Sequence, residues 1–173
     1  TLIKNIRSVV TYKWQQSEIR YIYPKTIQSQ QLPVEVTDTI IVNDYNEACL
    51  VLADSPKSSA ALSRRCLQYV LREKLLAKSK DLADQIQEVI DSKALPSDIA
   101  QGLDAVRNIG NFAAHVQKSK ATGEILDVEP HEAEWNIEIL HNLIDYVYVR
   151  PTKFQKKIDD LNLKLAESGK PTI

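Results

Sequence analysis

The stretch Arg107-Asn108-Ile109-Gly110-Asn111-Phe112-Ala113-Ala114-His115 concentrates side chains able to act on a phosphate or a labile proton. Asn111 and His115 are four residues apart, so on a helix they share one face. Arg107 precedes Asn111 by the same step and is turned about 40° round the axis. His115 falls where the helix should end, and an imidazolium there gains from the C-terminal dipole. Two roles are open to it: a hydrogen-bonding residue that fixes a corner of the fold, or a general base or phosphate contact. Gly110 costs about 1 kcal/mol against Ala inside a helix, so it is expected where a neighbouring helix or a ligand comes close. Arg64 and Arg65 form a second element, set among Ala61, Leu62, Cys66 and Leu67. One of these guanidiniums is expected to be buried and to need an anionic or carbonyl partner, an ion pair with Asp104 or an acid of the fifth helix being the structural reading. His115, Asn111 and Arg107 are thus the candidate catalytic set, and Arg64, Arg65 and Asn108 the candidate binding set.

Helices must position these groups. From Thr37 the apolar period is near 3.6: Ile40, Ile41, Tyr45, Ala48 and Leu52 predict a first helix to about Asp54. Ser55-Pro56 is a start signal, a capping serine with proline at the first helical position. The second helix then runs to about Ala77, burying Ala60, Ala61, Leu67, Val70 and Leu71. Asp81 caps a short third helix with Leu82, Ile86, Val89 and Ile90 on one face. Ser97 caps a fourth that carries Ile99, Leu103, Val106 and Ile109 to about His115. A polar loop follows to Glu129. Glu129-Pro130 opens a fifth helix with the apolar stripe Trp135, Ile139, Leu143, Tyr146 and Val147; Pro151 ends it and starts a sixth with Phe154, Ile158, Leu161 and Leu165. Six amphipathic segments with short links predict an all-α bundle over residues 37–167, followed by a tail at 168–173. Residues 1–36 read as an extension in which two β-rich runs, Val9 to Trp14 and Ile19 to Tyr23, predict a hairpin.

Charge is spread unevenly. From Ser55 to Lys80 seven basic residues face one acid, whereas from Val116 to Glu138 six acids face two lysines. Two solvated faces, a phosphate-binding strip on the second helix, or contact between the two segments in a dimer would each account for this. The 173-residue chain has a net charge of −1, which excludes a generic polyanion binder. No apolar run approaches the roughly 20 residues of a bilayer span, so no membrane role is expected. Cys49 and Cys66 lie in helical patterns and read as reduced core thiols of a cytoplasmic protein. His131 and His141 lack a two-histidine metal spacing, no Cys-x-x-Cys occurs, and no Gly-rich phosphate loop is present, so neither a metal nor a cofactor is expected. The chain starts at Thr1 and contains no methionine, which suggests a processed or truncated product.

Several blocks in order carry a resemblance: Ser55-Pro56-Lys57-Ser58-Ser59-Ala60-Ala61-Leu62-Ser63-Arg64-Arg65-Cys66-Leu67, Leu95-Pro96, Val106 to His115, Glu132-Ala133-Glu134, and Tyr146-Val147-Tyr148-Val149-Arg150-Pro151. Over roughly Leu32 to Ile158 the chain resembles a bacterial HEPN-like domain of unknown function, found alone, behind zinc ribbons or fused to type I restriction endonuclease subunits. The resemblance implies an HEPN-like bundle, often a homodimer, in prokaryotic defence or restriction settings, with a nuclease or helicase subunit and RNA or a nucleotide as partners. Active HEPN ribonucleases carry an Arg-Asn pair, a short spacer and a His, and cut RNA without metal where two protomers meet. This sequence keeps Asn111 and His115, but Gly110 occupies the place of the Arg and Arg107 lies three residues earlier. That departure favours a non-catalytic interaction or nucleic-acid-associated domain. The alternatives are a metal-independent endoribonuclease, with Arg107 or Arg65 stabilising the phosphorane, and a nucleotide or anion sensor built on Arg65, Asn111 and His115.

Overall fold

The computed structural model describes residues 31–114, 117–118 and 125–173. Within them the fold is all-α: α1 Thr39–Val51, α2 Pro56–Leu75, α3 Leu82–Asp91, α4 Ser97–Ala114, α5 Pro130–Ile144 and α6 Arg150–Glu167, with a π-helical turn Asp145–Val149 joining the last two. The hairpin expected between Val9 and Tyr23 lies outside the described residues. The polar loop after α4 contains one small pairing, in which Gln117 opposes Leu126 and Lys118 opposes Ile125.

The start signals act as their chemistry requires. Asp38 accepts a hydrogen bond from the Ile40 N–H at 3.0 Å and opens α1. The Ser55 hydroxyl accepts from the Ser58 N–H at 3.3 Å at the head of α2, with Pro56 in the first turn. Glu129 and Glu132 form a capping box before α5. The Glu88 carboxylate of α3 gathers the Lys78 and Ser79 N–H groups and the Ser79 hydroxyl at 3.0 to 3.2 Å, which fixes the α2–α3 loop. These donors hold its pKa below the usual carboxylate value. Two helices stop earlier than the apolar pattern predicts. α1 ends at Val51, and α2 ends where Leu76 turns left-handed at φ 56°, a conformation that costs a non-glycine residue about 1 kcal/mol or more.

The long helix α2 is the centre of the bundle. Ala60 clusters with Ala133 near the start of α5, and the Lys74 ammonium stands 4.2 Å from the centre of the Tyr148 ring at the far end. The two helices therefore run parallel. Around them Ile41, Tyr45, Leu71, Ile86, Leu103, Leu140, Leu143 and Ile144 are fully buried, so the core is shared by α1 to α5. Gly102 of α4 leaves room for α5: a Cβ there would meet the Ile139 side chain and force it to shift.

Three expected inward faces are corrected. Trp135 is 48% exposed, and the buried face of α5 carries Ala133, Asn136, Ile137, Leu140, Leu143 and Ile144 instead. Ala61 is exposed, because Ser59, Ala60 and Ser63 take the inner face of α2. The stripe Phe154, Ile158, Leu161 and Leu165 exists on α6, but no residue of that helix is buried. Pro151 also does not break the chain. The π turn lets the Arg150 N–H reach the Asp145 carbonyl five residues back, and Pro151 then sits in the first turn of α6, where a missing N–H is harmless.

Candidate functional site

The two arginines of α2 point to different neighbours, because adjacent helical residues are turned about 100° apart. Arg65 faces α1. Its Nε donates to Asp44 Oδ2 at 2.8 Å and its Nη2 to Asp44 Oδ1 at 2.5 Å, a two-pronged grip on a carboxylate that is itself buried. The Asp44 carboxylate raises the Arg65 pKa further above its ordinary value. The expected ion pair thus forms, but with α1 and not with Asp104 or the fifth helix. The guanidinium itself is not the buried partner: the Arg65 side chain is 62% exposed.

Arg64 faces α4. Its Nη1 reaches the Val106 carbonyl at 3.4 Å, and no carboxylate pairs with it among the described residues. Desolvation of the half-buried guanidinium lowers its pKa. On α4, Arg107 is engaged twice, with the Asp104 carboxylate at 2.5 Å and with the Gln87 amide oxygen of α3 at 2.5 Å. Asn108 is exposed and donates to the Asp104 backbone carbonyl at 3.0 Å, within its own helix. Asn111 falls in the last turns of α4, and His115 lies outside the described residues. Arg64 and Arg107 thus both belong to the neighbourhood of α4, the first from α2 and the second toward α3. Arg65 is committed to α1.

Several polar groups that a count of apolar residues passes over sit inside. Asn136 of α5 is 2% exposed, and neither its amide nitrogen nor its amide oxygen has a hydrogen-bond partner. The Ser63 hydroxyl on α2, adjacent in sequence to Arg64, is likewise buried without a partner. Because α2 and α5 run parallel from the Ala60–Ala133 contact, Ser63 and Asn136 stand one turn along, at the same level. Buried polar atoms left unpaired cost about 1–3 kcal/mol each, so this level of the bundle is kept polar against its own stability. The only hint in the sequence is one asparagine within the apolar spacing of α5.

Gln85 Oε1 and the Tyr148 hydroxyl are also buried without a partner among the described residues, whereas other buried polar groups are satisfied within the fold. The Tyr45 hydroxyl and His141 Nδ1 share a hydrogen bond of 3.1 Å between α1 and α5, and burial pushes the phenol pKa up. The Cys66 thiol donates to the Ile41 carbonyl at 3.8 Å, and burial raises its pKa to about 12, so it is no nucleophile at neutral pH. Cys49 and Cys66 are both buried. Among the described residues no group of three His, Cys, Asp or Glu side chains could hold a metal ion, and no helix is long and apolar enough to cross a membrane.

A family model described as Domain of unknown function (DUF4145) matches residues 46–162, from the second half of α1 into α6. No curated protein and no solved structure matches the chain.

Proposed function

The chain belongs to that family, a domain of unknown function, and on this premise we propose that it is a non-catalytic, HEPN-like interaction domain. In this reading it pairs as a homodimer and docks onto a nuclease or helicase subunit of a prokaryotic defence or restriction system, in contact with RNA or a nucleotide. The observation that carries it is the state of the guanidiniums. Arg65 is locked on the buried Asp44, and Arg107 is held by Asp104 and Gln87. A phosphorane would need a free cation close to the imidazole, and releasing either arginine breaks contacts that tie helices together. Gly110, where active relatives by resemblance carry an arginine, fits the same reading. Incubation of the purified chain with single-stranded and hairpin RNA in a chelator should leave the RNA intact. Metal-independent cleavage that disappears in His115→Ala would overturn the reading.

A second reading, an anion sensor, is favoured by one observation: Arg64 is half-buried with no carboxylate partner among the described residues. A guanidinium in such a place gains from an anion. A ligand bound only by the folded state raises stability by RT ln(1+[L]/Kd). On this reading inorganic phosphate or ATP raises the melting temperature of the wild type and leaves that of Arg64→Gln unmoved. Identical melting curves with and without these anions exclude it.

A further inference from the structure

Helix α6 presents a stripe and a flank that the fold does not use. Phe154, Ile158, Leu161 and Leu165 recur at steps of four, three and four, the spacing of a coiled-coil seam. None of them is buried, and Phe154 is 65% exposed. Along one side of this seam Arg150, Lys157 and Lys164 recur every seven residues. Along the other side stand the neutral amides Gln155 and Asn162. That second side is taken by the chain itself, since the Asn162 amide donates to the Ile173 carbonyl at 3.2 Å and the Ile173 N–H donates back at 2.8 Å.

The basic side opens into a groove of about 690 Å³ between α2, the π turn and the first half of α6. Val147, Pro151 and Phe154 form its apolar part, and Lys74, Arg150, Lys153 and Lys157 line it with positive charge. Arg150 is paired with Asp145 at 2.8 Å and Lys153 stands 3.9 Å from Glu35, whereas Lys157 and Lys164 have no carboxylate partner among the described residues.

We propose that this groove and seam dock an amphipathic helix of another protein, one whose apolar stripe is flanked by Asp and Glu. Charge complementarity selects that occupant. A second copy of α6 laid antiparallel would set the basic row against itself, and laid parallel it would set that row against neutral amides, of which Gln155 is held by Asp159 and Asn162 by Ile173. A nucleic-acid strand is served less well. The Tyr146 hydroxyl is held by the Ala94 carbonyl at 3.1 Å and its ring lies 5.6 Å from the Arg150 guanidinium, which leaves Phe154 as the one free aromatic platform in the groove. The inference rests on the interaction-domain reading only for there being a partner. RNA cleavage would defeat that reading without touching this surface.

The test uses the whole chain and two synthetic helical peptides of about three heptads, with Leu at the seam positions and either Glu or Lys on both flanks. The Glu-flanked peptide should bind saturably, and the Lys-flanked one at least about tenfold more weakly. The exposed double substitution Lys157→Glu/Lys164→Glu should cost a similar factor while leaving the urea midpoint unchanged. If that variant does not fold, Phe154→Ser and the loss of peptide affinity with rising salt take its place. Equal affinity for both peptides, or no binding of either, overturns the proposal. So does tighter binding of a single-stranded RNA, or sedimentation as a dimer that Phe154→Ser disperses.

Discussion

Arg65→Ala should destabilise the bundle by about 2 kcal/mol, although the side chain removed stands largely in water. The reason lies with its partner. Asp44 is 6% exposed, and the two Arg65 donors are the hydrogen bonds that the structure gives its carboxylate. Removing one member of a fully buried pair costs about 3–5 kcal/mol, because the other charge is left unsolvated. The lower figure applies here because water reaches the guanidinium side. Arg65→Lys should recover only part of the loss, since an ammonium offers a point charge in place of the planar fork. Asp44→Leu/Arg65→Ala should be more stable than Arg65→Ala alone, because no charge is then stranded. Urea unfolding of the single and double variants gives the coupling directly. A loss in Arg65→Ala below about 0.5 kcal/mol, the range of an exposed ion pair, would mean that the carboxylate is not held as described.

Asn136→Leu should act in the opposite direction and stabilise the protein by about 2 kcal/mol. Leucine has the same number of side-chain heavy atoms and the same branching, but it buries no amide. Neither polar atom of Asn136 has a partner, so the substitution relieves a desolvation cost and loses no hydrogen bond. A helix-propensity gain of a few tenths of a kcal/mol adds to it. Thermal and urea unfolding of the variant measure the change. Destabilisation would show that the amide is satisfied in solution. A gain would mark the Ser63–Asn136 level as one where stability has been given up, as is common where a protein must meet a ligand or partner.

The fold was legible in the sequence because each helix announces itself locally. Ser55-Pro56 and Glu129-Pro130 supply the entry chemistry, Asp81 marks the start of α3 without a side-chain capping bond, and the spacing of Leu82, Ile86 and Val89, or of Ile99, Leu103 and Val106, supplies the buried face. What was not legible depends on polar groups that face inward. Asp44 shares the buried side of α1 with Ile41, Tyr45 and Ala48, but a count of apolar residues skips it, so the search for an Arg65 partner went to acids further along the chain. The same omission hid Asn136 and put Trp135 inside, where a large aromatic is expected by default. Gly102 and Gly110 look alike in sequence. At Gly102 a Cβ would force the Ile139 side chain to shift. The stripe on α6 is legible from its spacing, but spacing alone does not say whether the same chain covers it, and here it does not.

The account turns on whether the polar groups around α4 serve cohesion and contact rather than bond cleavage. The most direct measurement is the initial rate at which the purified chain cuts a labelled single-stranded RNA in EDTA, run beside His115→Ala and Arg107→Ala. The account predicts three rates equal to that of buffer alone. A wild-type rate well above buffer, abolished in both variants and leaving 2′,3′-cyclic phosphate ends, would contradict it.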